Sequence, residues 1–290
     1  MMGEAGLTFL TAGRWASLAC LLEVAVPKPG NVHRGADFED VGLYDFLVSA
    51  EILGQTIDEL EPVPVAEVIQ QAVSRTIQVV ETNTNLGLAL LLCPLARAIQ
   101  SEGELSARSL GAVLQQMDRE DVQPIYAAIR SAQPGGLGTS PQYDVAGKPP
   151  ETLSQAMGLA RDRDGVARQY TNDFEDVFQT VVPMLVEGFE RFGQLPAAAV
   201  WAHIGWLADR GDSLIERKCG AKISQQASDR AAEVIPRLVA SDEPDWDALA
   251  ELDFWLRSDG NRRNPGTTAD LIAAGLMVGL FNHHLEWRLR

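Results

Sequence analysis

The sequence predicts an all-α protein, a single multi-helix domain that covers residues 1–290. Apolar side chains recur at three- and four-residue spacing along most of the chain, which is the period of an amphipathic helix. No stretch shows the sustained apolar–polar alternation of a half-buried strand. The chain of 290 residues, 46% of them hydrophobic, is long enough to bury one large core.

Five helices are predicted in the first half of the chain. They cover residues 7–24, 46–60, 65–80, 86–96 and 106–117. Pro94 falls inside the fourth helix and should kink it, because proline has no N–H donor and clashes with the preceding turn. Asp37, Glu39 and Asp40 precede the second helix, and they act either as a helix-start signal or as metal ligands.

In the second half, the helical period returns after an irregular segment at residues 130–150. The predicted helices cover residues 160–192, 200–208, 223–239 and 246–256, with a last helix that begins near Thr267. The irregular segment contains a glycine cluster at 134–138, which indicates either a loop over a ligand or a plain linker. It lacks the strand–loop–helix context and the Gly-Lys-Ser/Thr ending of a P-loop, so a Walker site is rejected.

Charge and cysteine content exclude several classes of function and site. The net charge is −16, which argues against nonspecific binding to nucleic acid or anionic membranes. The three cysteines, Cys20, Cys93 and Cys219, form no CxxC pair, so a disulfide framework or a zinc site is not expected. With no signal-peptide pattern and no apolar run of about 18 residues, we expect a cytoplasmic protein.

The most informative stretch is the loop at residues 23–35, where an apolar helix ends abruptly. Its sequence is Glu-Val-Ala-Val-Pro-Lys-Pro-Gly-Asn-Val-His-Arg-Gly. Two prolines stiffen this loop, and Gly30 permits a turn or a close backbone approach. The loop carries a carboxylate, an ammonium, an amide and an imidazole at Glu23, Lys28, Asn31 and His33. It is either an anion-binding loop or a stiff connector.

Three further polar clusters lie at predicted helix ends. They comprise Asn83, Thr84 and Asn85; Asp212 through Arg217 and Lys218; and Gly266, Thr267, Thr268 and Asp270. Such clusters either cap a helix or line a site, and the second could equally be a surface salt-bridge ladder. Because helix ends expose unpaired backbone donors, we expect one site to form where these ends converge.

Together the four stretches resemble the triphosphoribosyl-dephospho-CoA synthase family. The family's Glu-x4-Pro-Lys-Pro-Gly-x-Val motif matches residues 23–32, and its Asn-Thr-His-Lys-Gly motif corresponds to residues 83–87. Its Asp-Thr/Ser-x3-Arg stretch resembles residues 212–217, and its Pro-Gly-Gly-Ser-Ala-Asp-Leu motif resembles residues 265–271. The motifs occur in the family order and span nearly the whole chain.

The resemblance implies an all-helical enzyme that joins ATP to 3′-dephospho-CoA and releases adenine. The sequence departs from the family motifs at two places, which bear on the acceptor. Asn85 and Leu86 replace the family's His-Lys pair, and Asp37, Phe38 and Glu39 follow Gly-Ala in place of a His-containing run. The pattern is similar to a divergent archaeal or C1-metabolism branch, in which the acceptor can differ from dephospho-CoA.

Roles for the motif residues follow from the resemblance and the chemistry that it implies. The predicted catalytic residues are Glu23 and Asp212 as candidate bases and His33 as candidate acid. Substrate binding is assigned to Lys28, Pro29, Gly30, Asn31, Asn83, Thr84, Asn85, Arg217, Lys218, Gly266, Thr267 and Thr268. The Mg²⁺ that accompanies ATP is assigned to Asp37, Glu39, Asp212 and Asp270, since carboxylates are ligands that Mg²⁺ prefers.

Two alternatives remain open at this point. One is a related ATP-using transferase in methanopterin-type C1 cofactor synthesis, and the other is a non-catalytic helical protein that binds a nucleotide. For the enzyme we expect small-molecule substrates, ATP and an alcohol acceptor, and no nucleic-acid or membrane partner. A homodimer is compatible with the sequence. A scaffold would not need lysines and carboxylates gathered from four helix ends, so their clustering separates the two classes.

Overall fold

The all-α prediction is confirmed in a computed structural model, which describes residues 10–117, 119–136, 147, 150–240 and 244–289. The helices are α1 Ala12–Ala25, α2 Leu43–Glu59, α3 Val65–Val80, α4 Leu86–Glu102, α5 Ala107–Gln116, α6 Val122–Ala132, α7 Leu153–Ala160, α8 Gly165–Gln169, α9 Val182–Phe192, α10 Leu195–Arg210, α11 Ser213–Cys219, α12 Ala221–Val239, α13 Trp246–Arg257 and α14 Gly266–Phe281. A short extended segment, β1 (Ser258–Asn261), joins the last two.

Helix α14 lies at the centre of the fold. It is apolar on all sides, and 13 of its 16 residues are buried, as expected for a helix with neighbours all around it. It packs against α1, α4, α9, α10 and α11. Since α14 begins at Gly266, the last sequence motif is placed at the start of the central helix, among the ends of its neighbours.

The first predicted helix begins at Ala12, and Thr11 caps it by accepting a hydrogen bond from the Arg14 N–H. Residues 7–9 lie outside the described part of the chain. The helix ends at Ala25, directly before the two prolines, as the sequence predicts. Helix α4 continues through Pro94. Helix α6 and the start of α7 were not predicted.

The single helix predicted over residues 160–192 is wrong. The structure divides this stretch into α8, a turn, a π-helical segment at Val177–Val181 and α9. Asp164 starts α8 anew, because its carboxylate accepts hydrogen bonds from the Val166 and Ala167 N–H groups. Asp173 and Phe174 then have φ values of +53° and +58°, which a right-handed helix does not allow.

Two further sequence expectations agree with the described residues. All three cysteines are free, and Cys20 and Cys93 are buried. Within the described part of the chain, no helix combines the length and the apolar character needed to cross a bilayer.

Candidate active site

A cavity of about 320 Å³ opens at the start of α14, and residues from all four sequence motifs contribute to its wall. The predicted site residues that line it are Glu23, Asn31, Asn83, Thr84, Arg217, Lys218, Gly266, Thr267 and Asp270. They come from the end of α1, the start of α4, helix α11 and the start of α14. The helix ends therefore converge on one cavity, as expected from the sequence.

Lys28 does not line this cavity. Its side chain is fully buried, and its ammonium donates to Glu23 Oε1 at 2.9 Å, to the Val26 carbonyl oxygen at 3.1 Å and to the Glu23 carbonyl oxygen. An ammonium has three protons, so these acceptors use them all. The assignment of Lys28 as a phosphate contact is therefore not supported, and Lys28 instead fixes the Glu23 carboxylate in the cavity wall.

Burial acts against both charges of this pair. It raises the pKa of Glu23 and lowers the pKa of Lys28, while the attraction between the two opposes both shifts. A buried ion pair of this kind holds its members ionised only as long as both are present.

The Pro-Lys-Pro-Gly loop is fastened to α13 and to the start of α14. The Gly30 N–H donates to Asp253 Oδ1 at 2.7 Å, and Asn31 Nδ2 donates to the Pro265 carbonyl oxygen at 3.3 Å. Pro29 does not line the cavity, and its carbonyl oxygen lies 3.3 Å from Nε2 of the fully buried His203. Pro29 and Gly30 therefore shape the loop rather than contact a ligand.

Gly30 has two reasons to be glycine. Its φ is +81°, and a Cβ there would lie 2.7 Å from Pro265 Cδ. We expect Gly30→Ala to lower the free energy of unfolding by about 2–4 kcal/mol, measured by urea denaturation. Gly103→Ala is the matched control, since Gly103 has φ +66° but no atom within 4 Å of the added carbon. Equal losses for the two variants would contradict the close-approach argument.

His33 lies outside the cavity lining, so its assignment as the acid is not supported. Its Nδ1 accepts a hydrogen bond from the Gly35 N–H at 3.1 Å, and its backbone bridges to Ala36. Burial, helped by the positive charge of Arg257, lowers the pKa of His33 to about 4. The imidazole is therefore neutral near pH 7 and holds the loop shape.

In the second motif, the three polar side chains have different roles. Asn83 caps α4, because its Oδ1 accepts from the Leu86 N–H at 3.1 Å, and Thr84 Oγ1 lies 2.5 Å from Ser49 Oγ. Asn85 is buried and donates to Thr76 Oγ1 at 2.8 Å, so it is directed towards α3 rather than into the cavity. Asn83 and Thr84 stay site candidates, whereas Asn85 does not line the cavity.

Asp212 joins the starts of α11 and α14. Its Oδ1 accepts from the Leu214 and Ile215 N–H groups at 2.8 and 3.0 Å. Its Oδ2 accepts from the N–H and hydroxyl of Thr268 at 2.7 and 2.8 Å. With both oxygens occupied and the side chain buried outside the lining, Asp212 is not placed to act as a base or a metal ligand, and Thr268 binds Asp212 rather than a substrate.

Arg217 and Lys218 place positive charge on the cavity wall. Arg217 donates to Asp164 Oδ2 at 3.0 Å and to the Arg163 carbonyl oxygen at 3.2 Å, which orients its guanidinium. Lys218 donates to the Asn261 carbonyl oxygen at 3.2 Å, and burial lowers its pKa.

The turn at Gly135 and Gly136 packs directly on this pair. A Cβ on Gly135 would meet Lys218 Cε, and one on Gly136 would meet Arg217 Cβ, at 2.6 and 2.8 Å. The glycine cluster noted in the sequence thus touches the site at these two residues. Leu137, Gly138 and Lys148 lie outside the described residues.

Asp270 occupies the space that a side chain at residue 87 would fill. A Cβ on Gly87 would collide with its carboxylate, which explains glycine at this position of α4. No described residue donates a hydrogen bond to this carboxylate. Burial raises the pKa of Asp270 well above its usual range, and the negative charges of Glu23 and Asp212 raise it further. Glu23 and Asp270, two of the carboxylates in the lining, are therefore in different environments, since Glu23 is ion-paired with Lys28 and no described cation forms a salt bridge with Asp270.

The four carboxylates assigned to Mg²⁺ are not brought together. Asp37 is exposed, and its carboxylate accepts a hydrogen bond from the Leu43 N–H at 2.7 Å. Glu39 is also exposed. Both carboxylate oxygens of Asp212 already accept hydrogen bonds from α11 and α14. Only Asp270 of the set lines the cavity. In the described ranges, no group of three or more His, Cys, Asp or Glu side chains could hold a metal ion.

Several lining residues could not be found by motif. Asp164 and Arg163 lie in the stretch predicted as one continuous helix, and α6 and α7 supply apolar lining that carries no motif. The Asp-Gly pair at residues 164–165 could have indicated the start of a new helix, since Asp is a preferred helix N-cap.

Comparison with known proteins identifies the family. A family model for ATP:dephospho-CoA triphosphoribosyl transferase (CitG) matches residues 10–289. The fold is similar to a crystal structure of a proposed triphosphoribosyl-dephospho-CoA synthase from Archaeoglobus fulgidus, with a TM-score of 0.63 and 21% identity. That match covers 81% of this chain and 97% of the other, and at this identity it shows a shared fold. Curated protein sequences gave no significant match. The chain belongs to the CitG family of ATP:dephospho-CoA triphosphoribosyl transferases.

Proposed function

We propose that the cavity at the start of α14 is the active site of this transferase. There adenine is displaced from ATP and the 5-triphosphoribosyl group passes to an alcohol. The observation that carries the proposal is that all four motifs contribute side chains to one cavity, which holds cations and carboxylates together. The test is to incubate the protein with ATP, Mg²⁺ and dephospho-CoA and to measure free adenine by chromatography. No adenine with any acceptor would contradict the proposal.

The triphosphate is assigned to Arg217, Lys218 and the start of α14. Lys218 uses one of its three protons on Asn261, which leaves two for phosphate oxygens. Gly266 and Thr267 lie in the first turn of α14, where the helix dipole favours an anion. Charge-assisted contacts of this kind suit a triphosphate.

The charge of the cavity supports Mg²⁺ as part of the ATP substrate. Its lining has three basic and four acidic side chains: Arg163, Arg217 and Lys218 against Glu23, Asp40, Asp164 and Asp270. These cations do not offset a triphosphate, so an additional counter-ion is needed. Magnesium commonly binds substrate phosphates and keeps several waters. The described carboxylates do not form a resident site, so we assign the ion to the nucleotide.

Removing Mg²⁺ with a chelator should therefore stop adenine release and leave the folded state unaffected. We expect the melting temperature of the ATP-free protein to change by less than about 2 °C, because the described residues form no group of ligands that could hold a structural metal ion. Thermal unfolding and adenine release measured on the same sample check this, with excess Mg²⁺ as the rescue. A clear fall in melting temperature on chelation would indicate a resident metal instead.

Glu23 and Asp270 suit different parts of the reaction. Breaking the bond between C1′ and the adenine nitrogen develops positive charge on the ribose, which a nearby carboxylate stabilises. Glu23 is assigned this role, because Lys28 favours its ionised form. Asp270 is assigned as the base that takes the acceptor hydroxyl proton, because it lines the cavity and burial raises its pKa, which makes the carboxylate more basic than an exposed one.

The balance of the step is simple. The C1′–O bond to the acceptor forms as the C1′–N bond to adenine breaks. The hydroxyl proton goes to Asp270, and adenine leaves with the electron pair of the broken bond and takes up a proton from water at its ring nitrogen. Asp270 then returns its proton to the solvent, so no net proton is gained or lost. Neither His33 nor Asp212 takes part in this scheme.

The acceptor itself is suggested by Leu86. Leu86 lines the cavity where the resembling family motif has lysine, so the wall has an apolar side chain at that point. An acceptor with no anionic group there fits this wall better. This favours a divergent acceptor, such as an intermediate of methanopterin-type C1 cofactor synthesis, as the second candidate beside dephospho-CoA.

Leu86→Lys tests this choice of acceptor. We expect the variant to raise kcat/KM for dephospho-CoA by about tenfold or more, since a charge-assisted contact contributes roughly 1.5–3 kcal/mol. Leu86→Met is the control for volume and should change little. The measurement is adenine release at varied dephospho-CoA. An unchanged or lower kcat/KM in the lysine variant would mean that residue 86 does not select the acceptor.

A non-catalytic nucleotide-binding protein is the less favoured reading, because a binding protein has no use for an unpaired carboxylate beside the nucleotide site. The cytoplasmic location and the homodimer stay predictions.

A further inference from the structure

Among the described residues, one side of the cavity carries no charged side chain. Helices α6 and α7 contribute only uncharged side chains to the lining. Together with part of α4 they form what we call the apolar lobe: Leu90, Ile125, Ile129, Met157, Leu159 and Ala160. None of the reaction steps assigned above uses these residues.

The apolar lobe includes a side chain that faces water. Leu159 lines the cavity and is 47% exposed. Covering an exposed leucine is favourable by about 25 cal/mol for each Å² removed from water. A ligand with an apolar surface would supply that cover.

The apolar lobe adjoins the part of the cavity that contains Asp270. Arg217 interacts electrostatically with Asp270, whose carboxylate lies against Gly87 near the start of α4. Leu90 lies three residues further along α4, on the same side of the helix and about 4.5 Å along its axis. The apolar lobe therefore begins about one helical turn from the Asp270 carboxylate.

We propose that the apolar lobe binds the uncharged, flat base of the nucleotide, the adenine that leaves. This inference rests on the proposed function and deepens it. The triphosphate lies at Arg217 and Lys218, the ribose lies beside Asp270, and the base extends past it into the lobe. Adenine is neutral near pH 7, so a lobe without charged side chains recognises it by contact area rather than by charge.

Two probes separate the lobe from the cation end: ATP and inorganic tripolyphosphate, each with Mg²⁺, titrated by calorimetry. Wild type should bind ATP at least tenfold more tightly than tripolyphosphate. Ala160→Phe fills the lobe and should reduce ATP affinity to that of tripolyphosphate, whose own affinity stays within twofold. Lys218→Gln should weaken both probes by a similar factor.

Gly158→Phe is the matched control on the same helix, since no atom lies within 4 Å of a Cβ added there and the residue is outside the lining. It should change neither affinity, and thermal unfolding verifies that both phenylalanine variants fold. Equal affinity of wild type for ATP and tripolyphosphate would overturn the proposal. So would an Ala160→Phe variant that keeps its ATP affinity but has a raised KM for the acceptor, because the lobe would then hold the acceptor.

Failure of the proposed function gives a different result. In that case ATP still binds more tightly than tripolyphosphate and Ala160→Phe removes the difference, but no adenine is released with any acceptor. The lobe assignment would then stand without the transferase assignment.

Discussion

Lys28→Met is expected to destabilise the protein by about 3–5 kcal/mol, the usual cost of removing one partner from a buried ion pair. Lys28 is fully buried and its ammonium lies 2.9 Å from Glu23 Oε1. Without it, a carboxylate remains in the interior with no opposite charge, and its pKa rises further. Urea denaturation measures the loss. Lys222→Met is the control, because Lys222 is exposed.

The double variant Glu23→Gln with Lys28→Met should recover most of that stability, because no uncompensated charge is then buried. Its transferase activity should remain low, since the Glu23 carboxylate is gone. If Lys28 instead bound phosphate, as its motif suggested, Lys28→Met would lose ATP affinity at unchanged stability. That result would contradict the role assigned here.

Asp270→Asn is expected to lower kcat by about 10²–10⁴-fold, the range for loss of a general base. At pH 7 the same variant should be more stable than wild type, by about 1 kcal/mol, because it removes a half-buried carboxylate that accepts no hydrogen bond from the described residues. Adenine release and urea denaturation measure the two effects. Asp247→Asn, on the exposed side of α13, is the control.

The pH dependence of that stability difference has a definite sign. The folded state raises the pKa of Asp270 well above its usual range, so the folded protein holds this proton more tightly than the unfolded chain. The contribution of the protonated carboxyl is fully present below the unfolded pKa and is lost as pH rises through the folded pKa. The advantage of Asp270→Asn should therefore be small near pH 3 and grow with pH. An advantage that shrinks as pH rises would contradict the raised pKa.

Most of the fold could be predicted because the apolar period of 3.6 residues is strong in helices such as α3 and α12, and because α14 is a long apolar run. Helix ends followed from proline and glycine, as at the Pro-Lys-Pro-Gly loop. The prediction for residues 160–192 failed because the apolar spacing continues through two interruptions of the helix. Asp164 restarts a helix there, and Asp173 and Phe174 take up positive φ values. Periodicity alone does not contain that information.

The membership of the site could be predicted better than its roles. The four motifs predicted a shared site, and Glu23, Arg217, Lys218 and Asp270 do line one cavity. The direction of each side chain depends on tertiary contacts that the sequence does not display. Lys28 turns inward because Glu23 and two carbonyl oxygens are there to accept its protons.

The same residue type can also have several structural or chemical roles. Asp212 looked like a base or a metal ligand, but an aspartate at a helix start serves equally as an N-cap, and here it caps two helices at once. The apolar lining from α6 and α7 has no signature at all, since its residues are those of any helical core.

The most direct measurement is the mass of the acceptor after reaction with ATP, Mg²⁺ and dephospho-CoA, with wild type, Asp270→Asn and Asp247→Asn run in parallel. The mechanism predicts that wild type and Asp247→Asn add one triphosphoribosyl group to the acceptor for each adenine released, and that Asp270→Asn adds almost none. Adenine released with the acceptor unmodified would indicate hydrolysis of ATP. Full activity of Asp270→Asn would contradict the placement of the reaction in this cavity.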